Sequence, residues 1–217
     1  MSILIITTPR TGSTVLTTAL ARTFKYRPVY EPFNPIWKRG KKLKILPIEK
    51  DYSDIDFDNI DHNSKLVVKC MTHQHPDNSD TFDYFREFAK KFKHVIILDR
   101  RNVEDQATSY AIAAERTDKE HLNRFGSPYS SDYPIDPVLV HHKINFYLNE
   151  KPKLELLELD LGIYRVWYDD LYSHNTSRRE NTIKRALNGL EFDTSLYLSY
   201  TNPKRRLKQD SQNRNLI

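Results

Sequence analysis

The chain has 217 residues, enough for one domain with a sizeable core and too few for two large ones. Hydrophobic residues make up 38% and aromatic residues 12%, which excludes a disordered or low-complexity chain. Thirty-four Lys and Arg against 29 Asp and Glu give a net charge of +5, a bias toward anionic ligands that identifies none of them.

Ser2 to Thr7 is apolar and β-branched, as a buried strand requires, and Thr14 to Phe24 continues as a helix with Val15, Leu16, Ala19, Leu20 and Thr23 on one face. "YRPVYEPFNP" follows, and its three prolines predict a loop that opens a polar insertion reaching about residue 63. "KLVVKCM" (65–71) predicts a second strand, Asp80 to Phe92 a helix, "HVIILD" (94–99) a third strand and Val103 to Arg116 a helix. Residues 117–135 are polar, with Gly126, Pro128 and Pro134, and predict a surface loop. Pro137 to about Leu159 predicts a long helix that Pro152 breaks or restarts. "IYRVWY" (163–168) predicts a fourth strand, Arg178 to Leu190 a last helix, and residues 200–217 a basic tail.

Alternating strands and helices imply an α/β fold: one domain over 1–217, with a central parallel sheet flanked by helices and variable segments at about 38–63 and 117–135. Ligands of such sheets bind beyond the carboxyl ends of the strands, so chemistry is sought in the segments that follow them. Cys70 is the only cysteine, which excludes an intrachain disulfide and a cysteine-built zinc site. The first apolar run, "ILII", is short for a secretion leader, and no run approaches the roughly 18 residues that cross a bilayer. The expected setting is cytoplasmic, with no membrane partner.

"TTPRTGST" fills the turn between the first strand and the first helix. Gly12 lets the backbone curl, successive amides can face inward, and the helix start favours an anion. Thr11, Ser13 and Thr14 add hydroxyls and Arg10 adds a charge. A nucleoside-triphosphate P-loop needs lysine after its last glycine, and here Ser13 stands in that place. "PRTGSTVL" resembles the 5′-phosphosulfate loop of sulfotransferases that use 3′-phosphoadenosine 5′-phosphosulfate (PAPS). The resemblance implies that Arg10 touches the transferring group, that Thr11, Gly12, Ser13 and Thr14 cradle the 5′-phosphate, and that the sheet has the P-loop-like sulfotransferase fold.

"VIILDRRNVEDQATSYAIA" (95–113) ends a strand in Arg100 and Arg101 and places Ser109 eight residues past Arg101. Arginine at the junction and serine two turns later can converge on one anion, the guanidinium as a fork and the hydroxyl as a neutral donor. This segment resembles the 3′-phosphate motif of the same family. It is especially similar to the bacterial trehalose sulfotransferase type, whose pattern reads R-R-D-x-x-x-Q-A-x-S. Arg101 and Ser109 are the matching positions. "RVWYDDL" (165–171) resembles the family's late strand, with Trp167 and Leu171 expected in the core.

The resemblance implies transfer of a sulfonate from PAPS to an acceptor hydroxyl, leaving 3′,5′-ADP, with no metal. It places an acidic residue shortly after the first helix, which makes Glu31 in "VYEPFN" the first candidate for the base. Its neighbours Tyr30, Pro32 and Phe33 predict a raised pKa. His73, a few residues after Lys69, is the second candidate, as cytosolic members place a histidine there. His73, His75 and Asp77 are too few for a metal site, and His141 and His142 are left with at most a role in the acceptor pocket. Arg205 or Arg206 in "NPKRRLKQ" can close over the 3′-phosphate or belong to a solvated tail. The expected partner is a small-molecule or glycan acceptor and no nucleic acid; a homodimer is compatible with this. The rivals are a small-molecule kinase, which needs an Asp-tipped strand such as the one ending at Asp99, and a nucleic-acid binder, which would leave both strand-end anion sites unexplained.

Overall fold

Five short segments form one sheet: β1 (Ile3–Thr7), β2 (Arg27–Tyr30), β3 (Leu66–Met71), β4 (His94–Asp99) and β5 (Arg165–Trp167). They stand in the order β2-β3-β1-β4-β5, and every pairing is parallel. The computed structural model describes residues 1–34, 52, 54–74, 81–120 and 135–200, and the side chains of these except at 81, 82, 115–120 and 200. The helices are α1 (Ser13–Phe24), α2 (Thr81–Ala89), α3 (Val103–Glu120), α4 (Pro137–Leu161), α5 (Tyr168–Leu171), α6 (Thr176–Ala186) and α7 (Ser195–Tyr200).

Strand alternation divides the core in two. Ile3, Ile5, Val67, Ile96, Leu98 and Val166 face α1, α6 and α7, while Leu4, Ile6, Val68, Cys70 and Ile97 face α2 and α4. Burial on both faces is why β1, β3 and β4 are continuous apolar runs in the sequence. The chain leaves β1 toward β2 and β3 on one side and continues through β4 to β5 on the other. The crevice beyond β1 and β4 is therefore a topological switch point, where open parallel sheets bind their ligands.

Several boundaries differ from the sequence reading. Arg27–Tyr30 is a strand, not loop, because β2 lies at the sheet edge, where Pro28 needs no partner for its missing N–H. The strand near 163–168 is consequently the fifth, and it is shorter, since Tyr168 already begins α5. α3 runs to Glu120, into the segment expected as loop from 117. α4 continues unbroken through Pro152, which is exposed like Leu148 four residues before it, so the carbonyl that Pro152 cannot serve faces water. α2 closes at Ala89 and α6 spans Thr176–Ala186, each ending short of its expected limit. Within the polar insertion, Ile60 is buried and Tyr52, Ile55 and Phe57 pack against the α2 side of the core.

Asp99, at the tip of β4, knits the fold. Its carboxylate meets Lys151 of α4 at 2.6 Å and Arg165 of β5 at 3.4 Å, and accepts from the Arg100 amide at 2.7 Å. Among the described residues no helix is long and apolar enough to cross a membrane.

Candidate functional site

The turn from β1 into α1 is held from four sides. Thr7 Oγ1 lies 2.8 Å from the Leu98 carbonyl and shares a 2.6 Å hydrogen bond with Thr11 Oγ1. Gln106 Nε2 of α3 donates to Thr8 Oγ1 at 2.9 Å and to the Pro9 carbonyl at 2.7 Å. Tyr147 OH of α4 donates to the same carbonyl at 2.9 Å, and Tyr172 OH donates to the Gly12 carbonyl at 2.8 Å. Gly12 has φ 74°, and a Cβ there would stand 2.6 Å from the Tyr172 ring, so the turn and its anchor both require glycine. Arg10 has φ 63°, a left-handed conformation rare outside glycine and characteristic of functional turns. α1 has no side-chain cap and no acidic residue in its first turn, an arrangement compatible with an anion at the helix start. The cradle expected at Thr11, Gly12, Ser13 and Thr14 is thus a rigid turn at a helix start.

The second junction divides its labour differently from the sequence expectation. Arg101 and Ser109 do not face one another. Ser109 is buried and accepts from Arg10 Nε at 3.0 Å, whereas Arg101 forks onto Asp170 at 3.1 and 3.0 Å and lies over Trp167. The reason is local: Arg101 precedes the start of α3 by two residues, so helical spacing does not carry its side chain round to the face of Ser109. Arg178 reaches the same Asp170 carboxylate, and Arg101 also lies 3.8 Å from Asp169, so two arginines meet two aspartates here. Arg100 instead is buried against Tyr168, 4.6 Å from the ring centre, and pairs with Asp105. An open cleft of about 460 Å³ runs beside the Arg101 cluster, lined by Tyr164, Asp170, Asn175, Arg178, Thr182 and Arg185 among others. Leu171 is fully buried as expected, while Trp167 is half-buried between Arg101 and Arg165.

A third group gathers beyond β3. Lys69 Nζ, nearly fully buried, sits 2.6 Å from Glu31 Oε1 and 3.1 Å from Thr14 Oγ1 at the start of α1. Glu31 Oε2 accepts from Asn34 at 3.0 Å and Gln74 at 3.2 Å. Burial by itself would push the Glu31 carboxyl up, but the Lys69 charge and these hydrogen bonds together outweigh it and hold the group at about 2. The raised pKa expected from its apolar neighbours is therefore overturned. Next to it, His73 has its pKa lowered, chiefly by burial, against the opposing charges of Glu150 and Glu31. It is held neutral at pH 7, and its Nδ1 has no hydrogen-bond partner among the described residues.

The structure thus joins Arg10, Thr11, Gly12, Ser13, Thr14 and Ser109 in one crevice, with Lys69, Glu31 and His73 on one flank and Arg101 on the other. Arg205, Arg206, His75 and Asp77 lie outside the described residues, and His141 and His142 are exposed on α4. The anchors Gln106, Tyr147, Tyr172 and Asp170 were not singled out from the sequence. Gln106 and Asp170 lie inside quoted motifs, but Tyr147 and Tyr172 carry no local signal, since only the fold brings them to the turn. Lys69 offered one: a lysine inside an apolar strand needs a buried partner. A scan against protein-family models and a search of curated proteins each find nothing that matches this chain.

Proposed function

We propose that this chain transfers a sulfonate group from PAPS to the hydroxyl of an acceptor molecule. The observation that carries the reading is the 3.0 Å contact between Arg10 and Ser109, which unites the loop after β1 and the helix after β4 at the switch point of the sheet. A donor phosphorylated at both its 3′ and 5′ ends needs two anion sites, and both junctions present cations. The turn after β1 suits the 5′-phosphate, with the uncapped start of α1, Arg10, and the Lys69 ammonium reaching Thr14 from the neighbouring strand. Lys69 supplies, from β3, an ammonium donor where the loop itself has no lysine. Arg101 and Arg178, whose guanidinium groups converge on Asp170, suit the 3′-phosphate as forked donors, and the cleft beside them gives it room.

In the reaction the sulfur–oxygen bond to the phosphate breaks as one to the acceptor oxygen forms. The acceptor hydroxyl gives up its proton, and 3′,5′-ADP leaves with the bond's electrons. Arg10 stabilises the charge gathering on the leaving oxygen. His73, neutral and with Nδ1 unpartnered among the described residues, takes the proton in this reading. Glu31 is too acidic to be an effective base while Lys69 is paired with it, and acts by holding Lys69 against Thr14. A kinase reading loses its metal-binding candidate, because Asp99 is occupied by Lys151 and Arg165.

The test is a thermal-shift comparison of 3′,5′-ADP, ATP with magnesium, and an oligonucleotide. Ligands that bind only the folded chain raise its melting temperature by mass action, and 3′,5′-ADP is expected to do so alone. Stabilisation by ATP with magnesium but not by 3′,5′-ADP would establish the kinase instead, and stabilisation by the oligonucleotide alone a nucleic-acid binder.

A further inference from the structure

The end of β3 and the facing turn of α4 hold four polar atoms that none of the contacts above uses. Thr72 Oγ1, His73 Nδ1, Gln74 Oε1 and Glu150 Oε2 are buried and have no hydrogen-bond partner among the described residues. Thr72, Gln74 and Glu150 are only 0%, 8% and 6% exposed. Buried polar atoms in folded chains almost always find a partner, so four without one on adjoining elements leave hydrogen bonds for a ligand to make. Their proximity follows from the fold. Thr72, His73 and Gln74 are consecutive, and the Phe146 ring of α4 meets the His73 ring edge-on at 5.3 Å. Glu150 lies one turn beyond Phe146 on the same helix face, and its charge acts on His73 more strongly than that of any other group.

The chemistry of these atoms is selective. Gln74 spends its NH₂ on Glu31, and Glu150 spends Oε1 on Lys153 at 2.6 Å, which fixes the orientation of both side chains. The two oxygens left over can only accept, and Gln74 also keeps a second amide hydrogen. Such a pair calls for O–H donors and repels phosphate, sulfate or carboxylate. Lys153 and Lys143 also act on His73, and their charges oppose a cationic ligand. Phe146 and Tyr110, with ring centres 5.7 Å apart, supply an apolar wall. The cluster connects to the phosphate turn through Gln74, Glu31, Lys69 and Thr14, each in contact with the next.

We infer that this cluster is the acceptor subsite, and that it takes an uncharged ligand presenting at least two hydroxyl hydrogens, one to Gln74 Oε1 and one to Glu150 Oε2. Calling the ligand an acceptor rests on the sulfotransferase reading; the subsite and its preference for hydroxyls do not. The experiment is saturation-transfer NMR on the whole chain with myo-inositol, glucose and 4-nitrophenol as probes, with and without 3′,5′-ADP. The polyols are expected to bind the unaltered chain. Glu150→Gln and Gln74→Met are each expected to weaken them by about five- to tenfold, as losing one accepting oxygen should. The melting temperature of each variant confirms its folding, and should one fail to fold, the other decides. The inference is overturned if neither polyol binds, if both variants bind them as well as the unaltered chain does, or if 4-nitrophenol binds and the polyols do not. Failure of 3′,5′-ADP to stabilise the chain would remove the sulfotransferase reading alone, because the polyol measurement without nucleotide still decides the subsite.

Discussion

Lys69–Glu31 and Arg101–Asp170 are both ion pairs at the carboxyl ends of neighbouring strands, yet they do different work. The Lys69 and Glu31 side chains are 2% and 8% exposed, and further hydrogen bonds close around them, from Lys69 to Thr14 and from Asn34 and Gln74 to Glu31. The Arg101 side chain is 46% exposed, and its aspartate is shared with Arg178. A desolvated pair cannot release one member without stranding the other, so Lys69–Glu31 is a permanent fixture beneath the turn. Only the arginine of this second pair is half exposed; Asp170 is 9% exposed and keeps Arg178 if Arg101 is withdrawn. Burial, not charge, separates the enclosed Lys69 from the half-exposed Arg101.

The sharpest way to break this contrast is Lys69→Met, which leaves Glu31 buried and unpaired. It is expected to lower unfolding free energy by about 3–5 kcal/mol in a urea titration. The double variant Lys69→Met with Glu31→Leu should recover much of that loss, since no charge is then stranded. A loss under about 1 kcal/mol for the single variant would put both pairs in one class.

Acid provides a second, slightly smaller test. The Glu31 carboxyl sits at about 2 in the folded chain against an ordinary 4.5. A depressed carboxyl contributes its full stability above the unfolded value and loses it as pH falls through the folded one. The contribution, about 3 kcal/mol, should therefore be complete above about pH 4.5 and disappear progressively toward pH 2. Unfolding free energies from pH 6 to pH 2.5 should fall less steeply in Glu31→Gln than in the unaltered chain. Parallel slopes would mean that Lys69 does not hold the carboxylate.

The same distinction explains what could be seen in the sequence. β1, β3 and β4 are legible because strands buried on both faces are written as apolar runs, the turn after β1 because glycine, hydroxyl residues and arginine cluster there, and the turn after β4 because two arginines end the strand. β2 was hidden by Pro28, which an edge strand tolerates, and the continuity of α4 by Pro152, which an exposed helix face tolerates. The pKa of Glu31 was misjudged because its flanking residues, Tyr30 and Phe33, are apolar while its partner comes from 38 residues away. Spacing and the motif resemblance assign Arg101 and Ser109 to one anion, but the start of α3 between them sends the two side chains to different neighbours. Motifs located the site; only the packing of β3, α4 and β5 around it decided which side chain meets which.

Arg101→Ala carries the smallest expected stability effect and the most specific one. Removing a half-exposed partner leaves Asp170 with Arg178, so the unfolding free energy should change by less than about 1 kcal/mol. Under the proposed function the same substitution should abolish stabilisation by 3′,5′-ADP, because the guanidinium fork that now grips Asp170 is the one intended for the 3′-phosphate. The contrast with Lys69→Met is then complete: one cation whose loss unsettles the fold, and one whose loss is visible only when the ligand is present. A variant that keeps its full response to 3′,5′-ADP would move the 3′-phosphate elsewhere. A variant that unfolds as readily as Lys69→Met would show that the Arg101–Asp170–Arg178 cluster serves to tie α6 to the sheet.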